Sequence, residues 1–156
     1  MFKNFMFKKI IWTSLLILSV LVVSAFAQEK TVVNDARARA LLLGRHRLSL
    51  QWISWDYFGA ANVAERNGVL YLKGNQRRRG GSDYLTIDGR INSVDAKEFS
   101  FSGKIIMQIS HINGGKPCVR EGDFTFKITG KRRYWRLQEM DSPCDTTTDY
   151  VDIFFR

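Results

Sequence analysis

The chain has 156 residues, with 24 Lys and Arg against 15 Asp and Glu, and a formal net charge of +9. That length suits one domain and is short for two. Hydrophobic residues at 45% and charged residues at 25% exclude a disordered chain, and 2 Pro with 12 Gly exclude collagen-like and Pro-rich classes.

Residues 1–9 carry Lys3, Lys8 and Lys9 and no acid. An apolar run over 10–23 follows, then Ala25-Phe26-Ala27. This order is that of a secretory signal, with cleavage expected before Gln28. The competing reading is an uncleaved membrane anchor, because residues 10–27 reach the short edge of what spans a bilayer. Cleavage removes three bases and no acid, leaving 21 bases against 15 acids, a net charge of +6. The expected division is a signal peptide over 1–27, a short tail over 28–33 and one β-barrel-like domain over 34–156. The expected location is exported, periplasmic or secreted, with no stable membrane span after cleavage.

Past the tail, Asn34 can cap a helix whose first turn carries Asp35, favoured near the positive helix end. Residues 36–43 are good helix formers, Gly44 offers a left-handed stop, and Arg45 and Arg47 complement the negative end. The expected helix is 35–43. The period then changes to two, with Leu48, Leu50 and Trp52 alternating with Ser49, Gln51 and Ile53. Asn67-Gly68 is a hairpin signal, since both residues tolerate positive φ. A two-residue loop there sets Arg66 opposite Val69, Val63 opposite Leu72 and Ala61 opposite Gly74. Arg77-Arg78-Arg79-Gly80-Gly81 reads as a basic loop.

Leu85, Ile87, Gly89 and Ile91 repeat at spacing two, as do Phe99, Phe101, Gly103, Ile105, Met107 and Ile109. With a turn near Asp95-Ala96-Lys97, Ile91 opposes Phe101, Gly89 opposes Gly103 and Ile87 opposes Ile105. A slip of one residue would turn one apolar set to solvent, so the pattern selects this register. Facing glycines leave room for sharp coiling or for a large ring from a neighbouring strand, with Trp52 and Trp135 as the expected rings. Gly130-Lys131 suits a type II′ turn that sets Phe126 opposite Trp135 and Phe124 opposite Leu137. Residues 150–155 make a last strand, with Val151, Ile153 and Phe155 on one side.

About eight strands thus follow one short helix, and no second helix is long enough for a parallel crossover. The expected fold is all-β: an antiparallel up-and-down barrel or strongly coiled half-barrel, holding packed side chains or one small ligand. In size, export signal, N-terminal helical turn and strand run, residues 35–155 resemble the lipocalin-like calycin barrels. Those carry Gly-x-Trp in the first strand; Leu50-Gln51-Trp52 has the Trp without the Gly. The resemblance is one of shape and implies a barrel that can hold a small apolar or amphipathic ligand.

Cys118 and Cys144 are the only cysteines. In an oxidising compartment a disulfide is expected, worth roughly 3.5 kcal/mol by loop-closure entropy. The alternative is a Cys–His nucleophile using His111. His46 and His111 have no second ligand at metal spacing. Asp141, Asp145, Asp149 and Asp152 fail the EF-hand template, with Pro143 at a ligand position and Thr146 where Gly is required. Asp56, Glu65, Glu98 and Asp123 could supply paired glycosidase carboxylates, but each falls at a turn or strand end, where acids are ordinary. There is no Gly-x-Ser-x-Gly, P-loop or Gly-x-Gly-x-x-Gly. No catalysis, metal or cofactor is expected.

The bases gather in two loops: Arg77, Arg78 and Arg79, then Lys131, Arg132 and Arg133, with Arg136 beyond. Tyr134 and Trp135 lie beside the second set. Bases interleaved with aromatics can bind single-stranded nucleic acid. Export turns the expectation to an anionic envelope surface, acidic glycan or acidic protein, and the plain alternative is solvated turns. Trp55 either rims a pocket or partner site, or covers the helix from outside. Two functions therefore compete. One is a structural or protein-interaction module of the envelope with a filled interior. The other is a small-ligand binder lined by Trp52, Phe101 and Trp135. The bulk of Phe99, Phe101, Met107, Phe124, Phe126 and Trp135 favours the first.

Overall fold

The computed structural model describes residues 29–156; residues 1–28, with the expected signal and its cleavage site, lie outside the described residues. A two-residue strand β1 (Val32–Val33) and helix α1 (Ala36–Leu42) come first. Eight longer strands follow: β2 (Gly44–Leu50), β3 (Gly59–Arg66), β4 (Val69–Arg77), β5 (Tyr84–Val94), β6 (Glu98–Gln108), β7 (Cys118–Lys127), β8 (Tyr134–Leu137) and β9 (Val151–Phe154). Each pairs antiparallel with the next, and β9 pairs back onto β2, so the sheet closes as an eight-stranded up-and-down barrel.

Residues 31–33 are not the free tail that the sequence suggests. β1 pairs in parallel with the end of β5, and the Thr31 hydroxyl donates to the Ile91 carbonyl while accepting from the Leu70 amide. The helix begins one residue later than expected because Asp35, not Asn34, is its cap: the Asp35 carboxylate accepts from the Ala38 amide at 2.7 Å. Asn34 instead donates to Asp95. Ala38 and Leu42 turn the buried face of α1 into the core. The two ring nitrogens of His46 sit 2.7 Å from the Leu42 carbonyl and 3.0 Å from the Phe154 carbonyl, tying the helix to the barrel. The helix and the short turns 67–68 and 95–97 define one end of the barrel, the helix end. Four longer connections, 51–58, 78–83, 109–117 and 138–150, gather at the other, the loop end.

The apolar pattern sets two hairpins as expected. Arg66 faces Val69 and Val63 faces Leu72 across a turn in which Asn67 and Gly68 take φ of 53° and 80°. Gly89 faces Gly103 between the pairs Ile87–Ile105 and Ile91–Phe101, and a bulge at Asn92 then advances the register by one. The ring over the two glycines belongs to Phe101 on β6 itself, not to Trp52 or Trp135. A Cβ on Gly89 would lie 2.7 Å from Phe101 Cε2 and 2.3 Å from the Ser102 carbonyl oxygen.

The β7–β8 hairpin differs. Phe126 faces Leu137, two residues from the expected partner Trp135. The Ile128 amide leaves the ladder to donate to the Lys97 carbonyl, and Trp135 pairs with Ile153 on β9. A shift of two keeps every side chain on its face, so the interior set survives. β2 likewise ends at Leu50, which places Trp52 in the turn beyond it.

Aromatic rings fill the interior. Phe99 stacks on Phe126 at 5.0 Å, Phe126 meets Phe101 at 6.1 Å, and Trp135 meets Phe99 at 5.9 Å and Phe155 at 4.6 Å. Phe99, Phe101, Phe126 and Trp135 are fully buried. Gly89→Val is expected to force a branched side chain into Phe101 and the β6 backbone. The overpacking should cost about 1–3 kcal/mol, read as a lower urea midpoint; an unchanged midpoint would show that the two glycines do not abut.

Candidate functional site

At the loop end the interior holds charge. Arg120 on β7 faces Ile105 and therefore points inward, and it is buried. Its Nη1 lies 3.8 Å from Oδ2 of Asp149, a fully buried residue just before β9. Arg120 also donates to the Glu139 carbonyl, while Asp149 Oδ1 accepts from Trp52 Nε1 at 3.0 Å. The Trp52 ring meets the His111 ring edge-on at 6.3 Å. Burial pushes the Asp149 carboxyl above its ordinary value, against the Trp52 hydrogen bond and the Arg120 charge. Burial also lowers Arg120 against the attraction of Asp149. Both shifts say the same thing: removing these ions from water costs more than their contact returns.

Cys118 and Cys144 form a disulfide with Cα atoms 5.9 Å apart, tying the start of β7 to the 138–150 loop. This removes the nucleophile reading, and no described cysteine is free. The acids of the last loop have separate duties. Asp145 accepts from the amide and hydroxyl of Thr147, while Asp141 pairs with Thr148 through its backbone alone. Asp152 takes both oxygens of its carboxylate to Arg136 on the outer face, at 2.7 and 2.6 Å. Among the described residues no three His, Cys, Asp or Glu side chains converge on a metal-sized site.

The two basic loops lie at opposite ends of the barrel, so no single surface combines them. At the loop end Arg78 pairs with the buried Asp83 at 3.1 Å, Arg79 lies 4.5 Å over the Tyr57 ring and Arg77 lies 5.6 Å over Tyr84. At the helix end Lys131 is exposed, and Arg132 donates to the Thr129 hydroxyl. Arg133 does something the sequence did not suggest. It joins Arg45 and Arg47 of β2 and Arg156 around an open groove of about 620 Å³, floored by His46, Gly59, Ala60, Phe154 and Phe155.

That groove has a simple local origin. Arg45 and Arg47 are two apart on one strand and so project from the same outer face, opposite Asn62 and Ala60 of β3, which bring no acid and little bulk. No Asp or Glu lines the groove, and among the described residues none of the four guanidinia is ion-paired. The Arg47 guanidinium is held 4.6 Å from the Phe58 ring and 5.3 Å from Phe154. Arg156 donates to the Ala40 carbonyl at 3.1 Å. Sequence reasoning had assigned Arg45 and Arg47 to the helix dipole. The usable signal was alternate arginines on a strand, with no acid directly opposite either of them.

Trp55 is 65% exposed at the loop end, so it does not cover the helix, which lies at the other end. With Trp52, Gln51, Thr147, Thr148 and Tyr150 it walls a second groove of about 470 Å³. The trio Trp52, Phe101 and Trp135 does not line one pocket. Trp52 covers the loop end, while Phe101 and Trp135 are part of the packed interior.

Fold and surface together define an eight-stranded up-and-down barrel with a ring-filled interior and an outer arginine groove. The chain belongs to the PM1083 family, which matches residues 30–155. It is similar to a protein of Pasteurella multocida (strain Pm70) named "Uncharacterized protein PM1083", with 44% identity over 133 residues, 85% of this chain and 86% of that one. No solved structure matches the chain.

Arg120→Leu would leave Asp149 buried without its counter-charge. At pH 7 the variant is expected to lose about 3–5 kcal/mol relative to the parent. Because the folded Asp149 pKa is raised, its contribution to stability is largest below the ordinary 3.8 and is lost as pH rises through the folded value. Loss of the Arg120 charge raises the Asp149 pKa further, so the variant gains more on acidification than the parent and its deficit should shrink towards pH 4. Urea unfolding of both proteins at the two pH values measures this, and an equal deficit at both would show that Asp149 carries no charge in the fold.

Proposed function

We propose that the protein is an exported, non-catalytic interaction module that binds an anionic partner through the groove of Arg45, Arg47, Arg133 and Arg156. The groove itself carries the reading: four arginines line it and no Asp or Glu does. Guanidinium forks match phosphate, sulfate and carboxylate oxygens in pairs. Like charges held together repel, and a bound anion relieves that repulsion. Several bases elsewhere on the barrel have acids beside them, as in Lys73–Asp88, Lys104–Glu121 and Lys127–Glu98.

Export is supported by the three-part N-terminal pattern and by the disulfide, since such bridges persist in oxidising compartments. The lipocalin-like alternative, a small apolar ligand inside the barrel, finds its space taken by Phe99, Phe101, Phe126 and Trp135. The outer groove is therefore the favoured site.

Calorimetric titration with a short anion, a sulfated disaccharide, tests the reading. The parent should bind, and more weakly as salt is added. An Arg47→Gln/Arg133→Gln double variant should bind at least tenfold more weakly, and an Arg77→Gln/Arg79→Gln variant should match the parent. A parent that does not bind, or a groove variant that binds like the parent, overturns the proposal.

A further inference from the structure

We infer that the groove is one end of a longer stripe across β2, β9 and β8, and that its ligand is a linear acidic polysaccharide reaching to Trp55. The inference rests on the groove reading above and extends it. The stripe is continuous. Arg47 lies over Phe58, the Phe58 ring is 5.1 Å from Phe154, and Phe154 is 5.1 Å from Tyr134. Arg136 then bridges two rings, 5.2 Å over Tyr134 and 4.2 Å over Tyr150. Tyr150 walls the loop-end groove that Trp55 also lines. From Arg156 to Tyr150 an extended chain covers about 20 Å.

The order of groups along this line selects the ligand. Beyond the groove the line is mainly aromatic: Phe58, Phe154 and Tyr134 follow one another, then Arg136, whose fork is held by the buried Asp152, and Tyr150. A chain of sugar rings bearing anions offers both kinds of group: its sulfates or carboxylates meet the unpaired guanidinia of the groove while its apolar ring faces stack on the aromatic side chains beyond it. A single phosphate would use only the arginine groove and would not reach Trp55, which is 65% exposed. Single-stranded nucleic acid also presents rings and anions in alternation. The disulfide favours the glycan, because such bridges persist in oxidising compartments and are rare in the cytosol and nucleus, where single-stranded nucleic acid is found.

Heparin-derived oligosaccharides serve as the probe, with binding measured at one fixed ionic strength. A dodecasaccharide should bind at least tenfold more tightly than a disaccharide. Trp55→Ala, at an exposed position, should abolish most of that gain and leave disaccharide binding unchanged. The stripe is overturned if chain length brings no gain, or if the gain survives Trp55→Ala. It is equally overturned if a single-stranded oligonucleotide of matched charge binds more tightly than the dodecasaccharide. In each of those cases disaccharide binding that still depends on Arg47 and Arg133 leaves the groove reading standing. Loss of disaccharide binding by the parent would remove the groove reading itself.

Discussion

Eight strands closed on themselves leave an interior of fixed width, and the pairing of β9 onto β2 imposes that closure. Rings occupy the space so defined. Gly89 and Gly103 thin the wall at one point, and the Phe101 ring lies against the bare backbone there. Phe126, Phe99 and Trp135 continue the packing towards the helix end. The same closure turns alternate residues of every strand outward, and the arginine groove is built in part from such outward residues.

The molecule treats its charges in two opposite ways. At the loop end Arg120 and Asp149 are drawn inside, matched to each other and to Trp52 and Glu139. Asp83 is buried too, but hydrogen bonds from Arg78 and from the Ser110 amide and hydroxyl outweigh the cost of burial and hold its carboxyl below the usual range. These ions close the loop end and join loops distant in sequence. At the helix end Arg45, Arg47, Arg133 and Arg156 stay at the surface with no acid among them. A chain with +6 over residues 28–156 must leave some bases unmatched. Scattered excess charge would be a matter of solubility alone, whereas four guanidinia around one groove make a local field with a preferred ligand sign.

Strand periodicity carried most of the fold. The β3–β4 and β5–β6 registers follow from residue patterns because a one-residue slip would invert them. The β7–β8 register did not follow, because a shift of two residues costs nothing in face pattern, and the choice was made by Ile128 turning to Lys97 and Trp135 to β9. Those are contacts between segments that sequence spacing does not connect. The disulfide was legible because only two thiols exist. The arginine groove was not, since its members come from β2, the β7–β8 connection and residue 156, and a run of adjacent bases draws attention that alternating ones do not. Arg77, Arg78 and Arg79 form such a run, yet each has a partner within its own end of the barrel.

Having cations at a surface is not sufficient for recognition, since long side chains lose rotamer freedom when a ligand fixes them. Here part of that ordering exists before any ligand arrives. Arg47 is held between Phe58 and Phe154, and Arg156 is anchored on the Ala40 carbonyl. The backbone of Arg133 is tied to β9, because its carbonyl accepts from the Phe155 amide at 3.0 Å. His46 fixes the strand between Arg45 and Arg47 from beneath, through Leu42 and Phe154. Two of the four guanidinia, those of Arg47 and Arg156, are therefore already held by the barrel and helix, and Arg133 starts from a fixed backbone. The short helix α1 then has a use beyond covering one end: its Ala40 and Leu42 carbonyls are among the groups that steady the groove.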